Sequence, residues 1–448
     1  MAVIVFGALT LGTRPSADDA TGSRGDEIQA KPQTWDAAWL PYVTFVEATR
    51  GLEFVYPVTI ERVSIADSLA EQGDHEPADN SWLTPFYAFG LVDRSLDFEA
   101  ESAAFESEWV LAYYDPVAET VFIPEGELSL VVQSSLVHEL THALQDQHDM
   151  IEVDFVTSDD YVGHRALLEG DADWVERRWE EQLSAADQVT IGDEYAAMDA
   201  ELATAATLGG FVSNYYTMAY ALGDPAVEII RETGGQAALD SVLRTGPGSS
   251  EFLIDPLGAA LRPSNAKHSA PLPDVYDDDS EVWADALGAV DLYNVLVPTI
   301  GVEAALDAVI GYDDDRYTTF ARNGAACVSV VIWADTAGDA EELLAALVQS
   351  GATDPAIGEF GKPASPGVGF ITCEDNPTSV PSAQTAEQIA PLAVLNWMVY
   401  EHLAAGADPG PASCAAREQA IALPLSDRID WMALLAESDA YLEACLAE

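Results

Sequence analysis

His138-Glu139-Leu140-Thr141-His142-Ala143-Leu144-Gln145-Asp146-Gln147-His148 is the stretch on which the reading of this chain turns. Residues four apart lie on one face of a helix, so a helix through this run brings the imidazoles of His138 and His142 to one metal ion. Glu139 projects about a quarter turn away, where a carboxylate can take a proton from water at the ion's open position. The flanks support a helix. Leu128, Val131, Val132, Leu136, Leu140 and Leu144 recur at helical spacing, which predicts a helix over 126–147. Two surface histidines on an ordinary helix would give the same letters, but with only 7 His in 448 residues a chance match is uncommon.

Working outward, Trp109–Asp115 and Thr120–Pro124 are rich in β-branched and aromatic residues and predict two antiparallel strands just before that helix. Thr120–Pro124 is either an edge able to pair with an extended peptide or an ordinary inner strand. A second helix is expected over 161–183, and helical stretches over 198–222 and 225–244. A loop-like segment follows over 245–280, and helices resume near Val282. From about Ala325 a strand, a helix over 336–349 and a strand over 367–372 indicate a small α/β unit.

A catalytic zinc needs a third protein ligand and an open fourth position. His148 stands six residues after His142, the spacing of the metzincin motif, but Gln145 occupies the place where that motif has a turn-forming Gly. The other candidate is Glu169, in Ala166-Leu167-Leu168-Glu169-Gly170-Asp171-Ala172-Asp173 on the second helix. Glu169 and Asp173 repel at i and i+4, and Gly170 inside a helix costs about 1 kcal/mol. Both features make sense if Glu169 binds zinc, Gly170 lets the two helices approach closely, and Asp171 or Asp173 accepts a hydrogen bond from a ligand imidazole.

Charge excludes one class of partner. Against 77 Asp and Glu stand 18 Lys and Arg, a formal net charge of -59, which repels nucleic acid and forms no basic stripe. With 49% hydrophobic residues the chain can still bury a sizeable core.

Met1–Gly12 is an apolar run of signal-peptide length without a basic segment before it. It reads as a signal or membrane-anchor remnant leading into a flexible linker up to Pro32, and hence as export or anchoring at the cell surface. The 4 Cys fit that compartment, and none lies in a CxxC pair. Of the three pairings the simplest joins Cys327 to Cys373, from two strands, and Cys414 to Cys445, bracketing the last helical stretch. Four segments result: 1–32 signal or anchor remnant and linker, 33–320 main domain, 321–383 small α/β unit, 384–448 helical C-terminal segment.

HELTHALQDQH followed by ALLEGDA resembles a family of secreted bacterial zinc metallopeptidases of the gluzincin type, in which HExxH precedes a Glu in a Glu-Gly-x-Ala setting. The likeness continues through Tyr220-x-x-Gly223, Gly234-Gly235, Ser250-Glu251 with Asp255-Pro256, Gly311-Tyr312 with Asp315-Arg316-Tyr317, and Trp333-x-Asp335-Thr336, and it covers about 55–347. Departures are Gly246-Pro247-Gly248 where a Pro-Pro pair is usual, and Phe252 and Asp255 in place of Gln and His. The resemblance implies His138, His142 and Glu169 as ligands of Zn2+ and Glu139 as general base. It also implies an α+β, zincin-like and mostly helical domain with a small sheet before the HExxH helix.

The expected activity is zinc-dependent hydrolysis of peptide bonds in a peptide or protein substrate. Tyr220 is the candidate second stabiliser of the oxyanion. Two other readings stay open: a non-catalytic binding protein on the same fold, and a zinc hydrolase of a non-peptide amide or ester.

Overall fold

The computed structural model describes residues 33–72, 80–202, 210–259, 284–322, 324–358, 360, 365–374, 386–423, 429 and 431–446. The expected N-terminal remnant, the larger part of the 245–280 loop, the resumption at Val282, and residues 377–384, a candidate linker at the expected boundary between the α/β unit and the helical C-terminal segment, lie outside these residues. Helices dominate and two small sheets complete the α+β architecture.

α1 (Leu40–Arg50) has Pro41 in its first turn, where a missing N–H costs nothing. β1 (Thr59–Val63), α2 (Ile65–Gln72), α3 (Thr84–Phe89) and α4 (Phe98–Trp109) follow. β2 (Tyr113–Asp115) and β3 (Thr120–Pro124) are antiparallel as expected, but β2 is the shorter because Trp109 belongs to α4. β1 runs parallel along the other side of β3, with Thr59 opposite Thr120 and Val63 opposite Pro124. The order β1-β3-β2 makes Thr120–Pro124 the inner strand, so it offers no edge to a peptide.

α5 (Leu130–Gln147) starts later than its apolar spacing suggests because Ser129 caps it, accepting from the Val132 N–H at 3.3 Å. Every residue from Ser134 to Gln145 is buried. A helix enclosed on all sides must satisfy its polar groups internally, which is the first sign that its histidines and glutamate are built in. α6 (Ser158–Glu181) and α7 (Ala185–Leu202) come next. α8 (Gly210–Thr245) joins the expected 225–244 helix to the later part of the expected 198–222 stretch, whose first residues belong to α7 and whose 203–209 lie outside the described residues. Its backbone leaves the helical region at Gly235, where φ is 74°.

The second sheet is antiparallel, with order β4-β5-β6-β8-β7. In chain order its elements are β4 (Ala284–Asp285), α9 (Ala289–Ile300), α10 (Val302–Val309), β5 (Tyr312–Arg322), β6 (Ala325–Ala334), α11 (Ala337–Ser350), β7 (Thr353–Gly358) and β8 (Gly367–Cys373). The strand, helix and strand expected from Ala325 are β6, α11 and β8. Thr336 opens α11 with a reciprocal capping box to Asp339. α12 (Ala386–Ala404), α13 (Pro409–Ala422) and α14 (Trp431–Leu446) form the expected helical C-terminal segment.

Both expected disulfides are present. Cys327 and Cys373 are direct cross-strand partners on β6 and β8, and Cys414–Cys445 ties α13 to α14. Among the described residues no helix is long and apolar enough to cross a membrane.

The chain forms two compact units. One gathers the described residues up to Asn80, Phe98–Asp149, and Ala172 through α7, with a core that includes Val46, Phe105, Tyr113, Ile123, Leu136 and Leu140. The other gathers Ser81–Asp97, Met150–Asp171 and everything from α8 onward, around Trp333, Tyr293, Val330 and Leu392. α6 contributes to both.

Candidate metal centre

α5 carries His138 and His142 one turn apart, with ring centroids 4.6 Å apart and planes at 75°. α6 carries Glu169. All three residues are buried, and each offers one ligand atom within 4.8 Å of the others'. Two imidazoles and one carboxylate are the donor set of a catalytic zinc with an open position. The Glu169 carboxylate is fully withdrawn from water, a costly state that the Arg165 guanidinium 3.9 Å away offsets in part and that a bound metal ion would offset further.

The hydrogen bonds around the rings decide which nitrogen is left to face a metal ion. His138 Nδ1 is 3.0 Å from Glu176 Oε2 and 3.3 Å from Asp173 Oδ1, both of which can only accept. His142 Nδ1 is 2.8 Å from Gln145 Oε1, also an acceptor. Each ring therefore carries its proton on Nδ1 and leaves the Nε2 lone pair for a metal. The expected acid against a ligand imidazole is thus Asp173, joined at closer range by Glu176, while Asp171 is a buried residue elsewhere on the helix. His138, Asp173 and Glu176 form a second group whose ligand atoms also lie within 4.8 Å of one another.

Glu176 and its neighbours follow a helical rhythm. Arg165, Glu169, Asp173, Glu176 and Glu180 recur three or four residues apart and so share one face of α6. Glu180 closes the series, accepting from Ser134 Oγ at 2.7 Å and Tyr195 OH at 2.7 Å. Burial, and then the charge of Glu176, push its carboxyl above the ordinary range.

Glu139 is buried beside the histidines, and its Oε2 accepts the backbone N–H of Tyr114 on β2 at 2.7 Å. The Tyr114 hydroxyl donates to Asp146 Oδ2 at 2.6 Å. One strand residue thus grips α5 at two points seven residues apart, which is why the short β2 matters to the site. Burial, followed by the bond to Asp146, raises the Tyr114 phenol far above its ordinary value, so it stays a donor.

The structure places the remaining expected residues as follows. α5 does not break at Gln145 but continues to Gln147, and the left-handed residue is Asp149, with φ 58°. His148 caps the helix end with its Nε2 3.0 Å from the Glu53 carbonyl, and it belongs to neither metal group. Gly170 does permit a close helix approach, but to α8 and not to α5. A Cβ there would stand 2.2 Å from the carbonyl carbon of Gly223, and one on Gly223 would stand 1.9 Å from the Ala166 oxygen. Tyr220 is buried on α8 one turn before Gly223. Sequence reasoning missed Tyr114, Gln145 and Glu176. The rhythm of acids on α6 is the signal that could have found Glu176.

No family model matches this chain, and no curated protein and no solved structure matches it either.

Proposed function

We propose that this protein is a zinc-dependent hydrolase of peptide bonds that acts outside the cytoplasm. The observation that carries the reading is the buried His138, His142 and Glu169 group, with Glu139 on the same helix turn as the first ligand. His138 and His142 would hold the ion through Nε2 and Glu169 through a carboxylate oxygen. Zinc, when bound, supplies a Lewis acid for the scissile carbonyl and lowers the pKa of its water.

The chain's own residues do the rest. Glu139 takes the proton of the attacking water and passes it to the leaving amine, the two transfers that make amide cleavage feasible near neutral pH. The Tyr114 N–H keeps one Glu139 oxygen fixed, so the other is aimed and loses little freedom during the transfer. Glu176, Asp173 and Gln145 hold the imidazoles in the required tautomer and raise their basicity. Tyr220 is the proposed second donor to the oxyanion. The two disulfides support an oxidising compartment.

The test is the metal content of the purified protein, with peptide hydrolysis assayed before and after chelation and after zinc is restored. Hydrolysis that disappears with the metal and returns with it is expected. Activity indifferent to chelation would remove the proposal, and cleavage of esters alone would replace it with the non-peptide reading.

A further inference from the structure

Arg165 lies one turn before Glu169 on the same face of α6 and is buried, with 9% of its surface exposed. In a chain of 18 basic and 77 acidic residues, a guanidinium withdrawn from water calls for a reason. Its ion pair with Glu169 and its hydrogen bond supply only part of one. Arg165 Nε stands 3.9 Å from Glu169 Oε1, well beyond the roughly 2.7–2.9 Å of a charge-assisted hydrogen bond. Arg165 Nη1 donates to the Tyr215 carbonyl at 3.4 Å, at the weak end of the range. A guanidinium has five donors in a rigid plane, and these two contacts engage few of them.

What does hold Arg165 is aromatic. The rings of Tyr215 and Tyr216 are nearly perpendicular, at 88°, and the guanidinium carbon sits 5.7 Å from each centroid. That arrangement fixes the plane of the cation without using its hydrogen bonds. A residue serving only to neutralise Glu169 would form a close two-pronged pair with it. Here the charge is kept beside Glu169 and its donors are kept in reserve.

We propose that Arg165 is the carboxylate-binding residue of the site, and that the substrates are peptides whose free C-terminal carboxylate lies about one residue beyond the scissile bond. The inference rests on the zinc reading, because Glu169 is what places Arg165 beside the reacting carbonyl. One helical turn separates the two α6 side chains by about 5.4 Å, and one residue of substrate spans about 3.8 Å, so an arginine fork can reach the adjoining carboxylate. The net charge of -59 otherwise repels an anionic chain end, which makes a cation beside the site decisive for selectivity.

Binding tests this without turnover. An N-acetyl dipeptide and its C-terminal amide are titrated by calorimetry into the zinc-treated Glu139→Gln protein. The acid is expected to bind about tenfold more tightly, and Arg165→Gln in that background to bring the two within about twofold. Equal affinities in the Arg165 protein, binding of neither ligand, or an acid preference that survives Arg165→Gln each overturns the proposal. The first comparison needs no substitution at Arg165, so a poorly folding variant does not protect it. Zinc measured in the same samples separates the two readings: metal bound without acid preference defeats the carboxylate subsite alone, whereas no metal bound defeats the zinc site, and the acid and amide affinities then judge Arg165 by themselves.

Discussion

Gln145 Oε1 accepts the Nδ1 proton of His142 at 2.8 Å, three residues along the same helix. A glutamine where a turn glycine would serve a third histidine is therefore explained by the second one, whose ring it orients. Gln145→Leu keeps the helix and the approximate volume but removes the acceptor. Zinc affinity is expected to fall about 10–100-fold, read by competition with a chromophoric chelator, while far-ultraviolet circular dichroism is unchanged. Unaltered affinity would show that the bond orients nothing.

His138 is shared by two groups that could hold an ion, one with His142 and Glu169 and one with Asp173 and Glu176. The proposed site uses its Nε2, which makes Glu176 a hydrogen-bond partner and not a ligand. Glu169→Gln should then lose stoichiometric zinc, and Glu176→Gln should keep it with affinity weakened about 10–100-fold. The reverse pattern would move the ion to the Asp173 and Glu176 side.

Gly170 and Gly223 touch backbone to backbone, and a methyl group on Gly170 meets main-chain atoms that cannot rotate away. Gly170→Ala should cost about 3 kcal/mol or more, against the gain of under about 1 kcal/mol that alanine brings to a helix interior. Thermal unfolding decides between them. A variant as stable as the parent would mean that α6 and α8 are not in this contact.

Asp315 accepts from the Leu287 and Gly288 N–H groups at 2.9 and 2.8 Å and from Tyr312 OH at 2.7 Å. Burial nevertheless dominates and pushes its carboxyl up to about 7. Asp291 is also pushed up to about 7, by burial first and then by Asp159, with Asn294 opposing through a hydrogen bond and Asp315 adding repulsion. A raised folded-state pKa means the folded form binds the proton more tightly. The stability from these two groups is present in full below about 4 and lost as pH rises through about 7. His164 works in the other direction: burial lowers it to about 4, so its contribution is present above about 6.5 and lost as pH falls through about 4. Asp291→Asn should therefore stabilise more at pH 8 than at pH 5, by about 1–2 kcal/mol after screening at a half-buried site. Melting curves at the two pH values check it, and an equal effect at both would contradict it.

The α5 helix, the β2 and β3 pair, the α6 helix and both disulfides were legible in the sequence because each rests on local signals: helical spacing, β-branched runs, paired cysteines. What escaped was written in tertiary terms. β5 begins Tyr312-Asp313-Asp314-Asp315, an acidic run with no local pattern that marks burial, yet Asp314 and Asp315 are buried and backbone N–H groups meet them. β1 could not be assigned to the first sheet because a parallel partner at Thr120–Pro124 is remote in sequence. In the candidate site HExxH pointed to His138, Glu139 and His142, and the Glu-Gly setting pointed to Glu169. Tyr114 acts through its backbone N–H, which no side-chain pattern reports.

The central claim is that His138, His142 and Glu169 bind a zinc ion and that Glu139 serves as base and not as ligand. The most direct test compares the parent with Glu139→Gln, measuring zinc per chain by elemental analysis and peptide hydrolysis on the same preparations. The account predicts about one zinc per chain in both proteins, with hydrolysis in the parent and a loss of at least about 100-fold in the variant. Zinc absent from the parent, or Glu139→Gln hydrolysing peptides at the parent's rate, would contradict it.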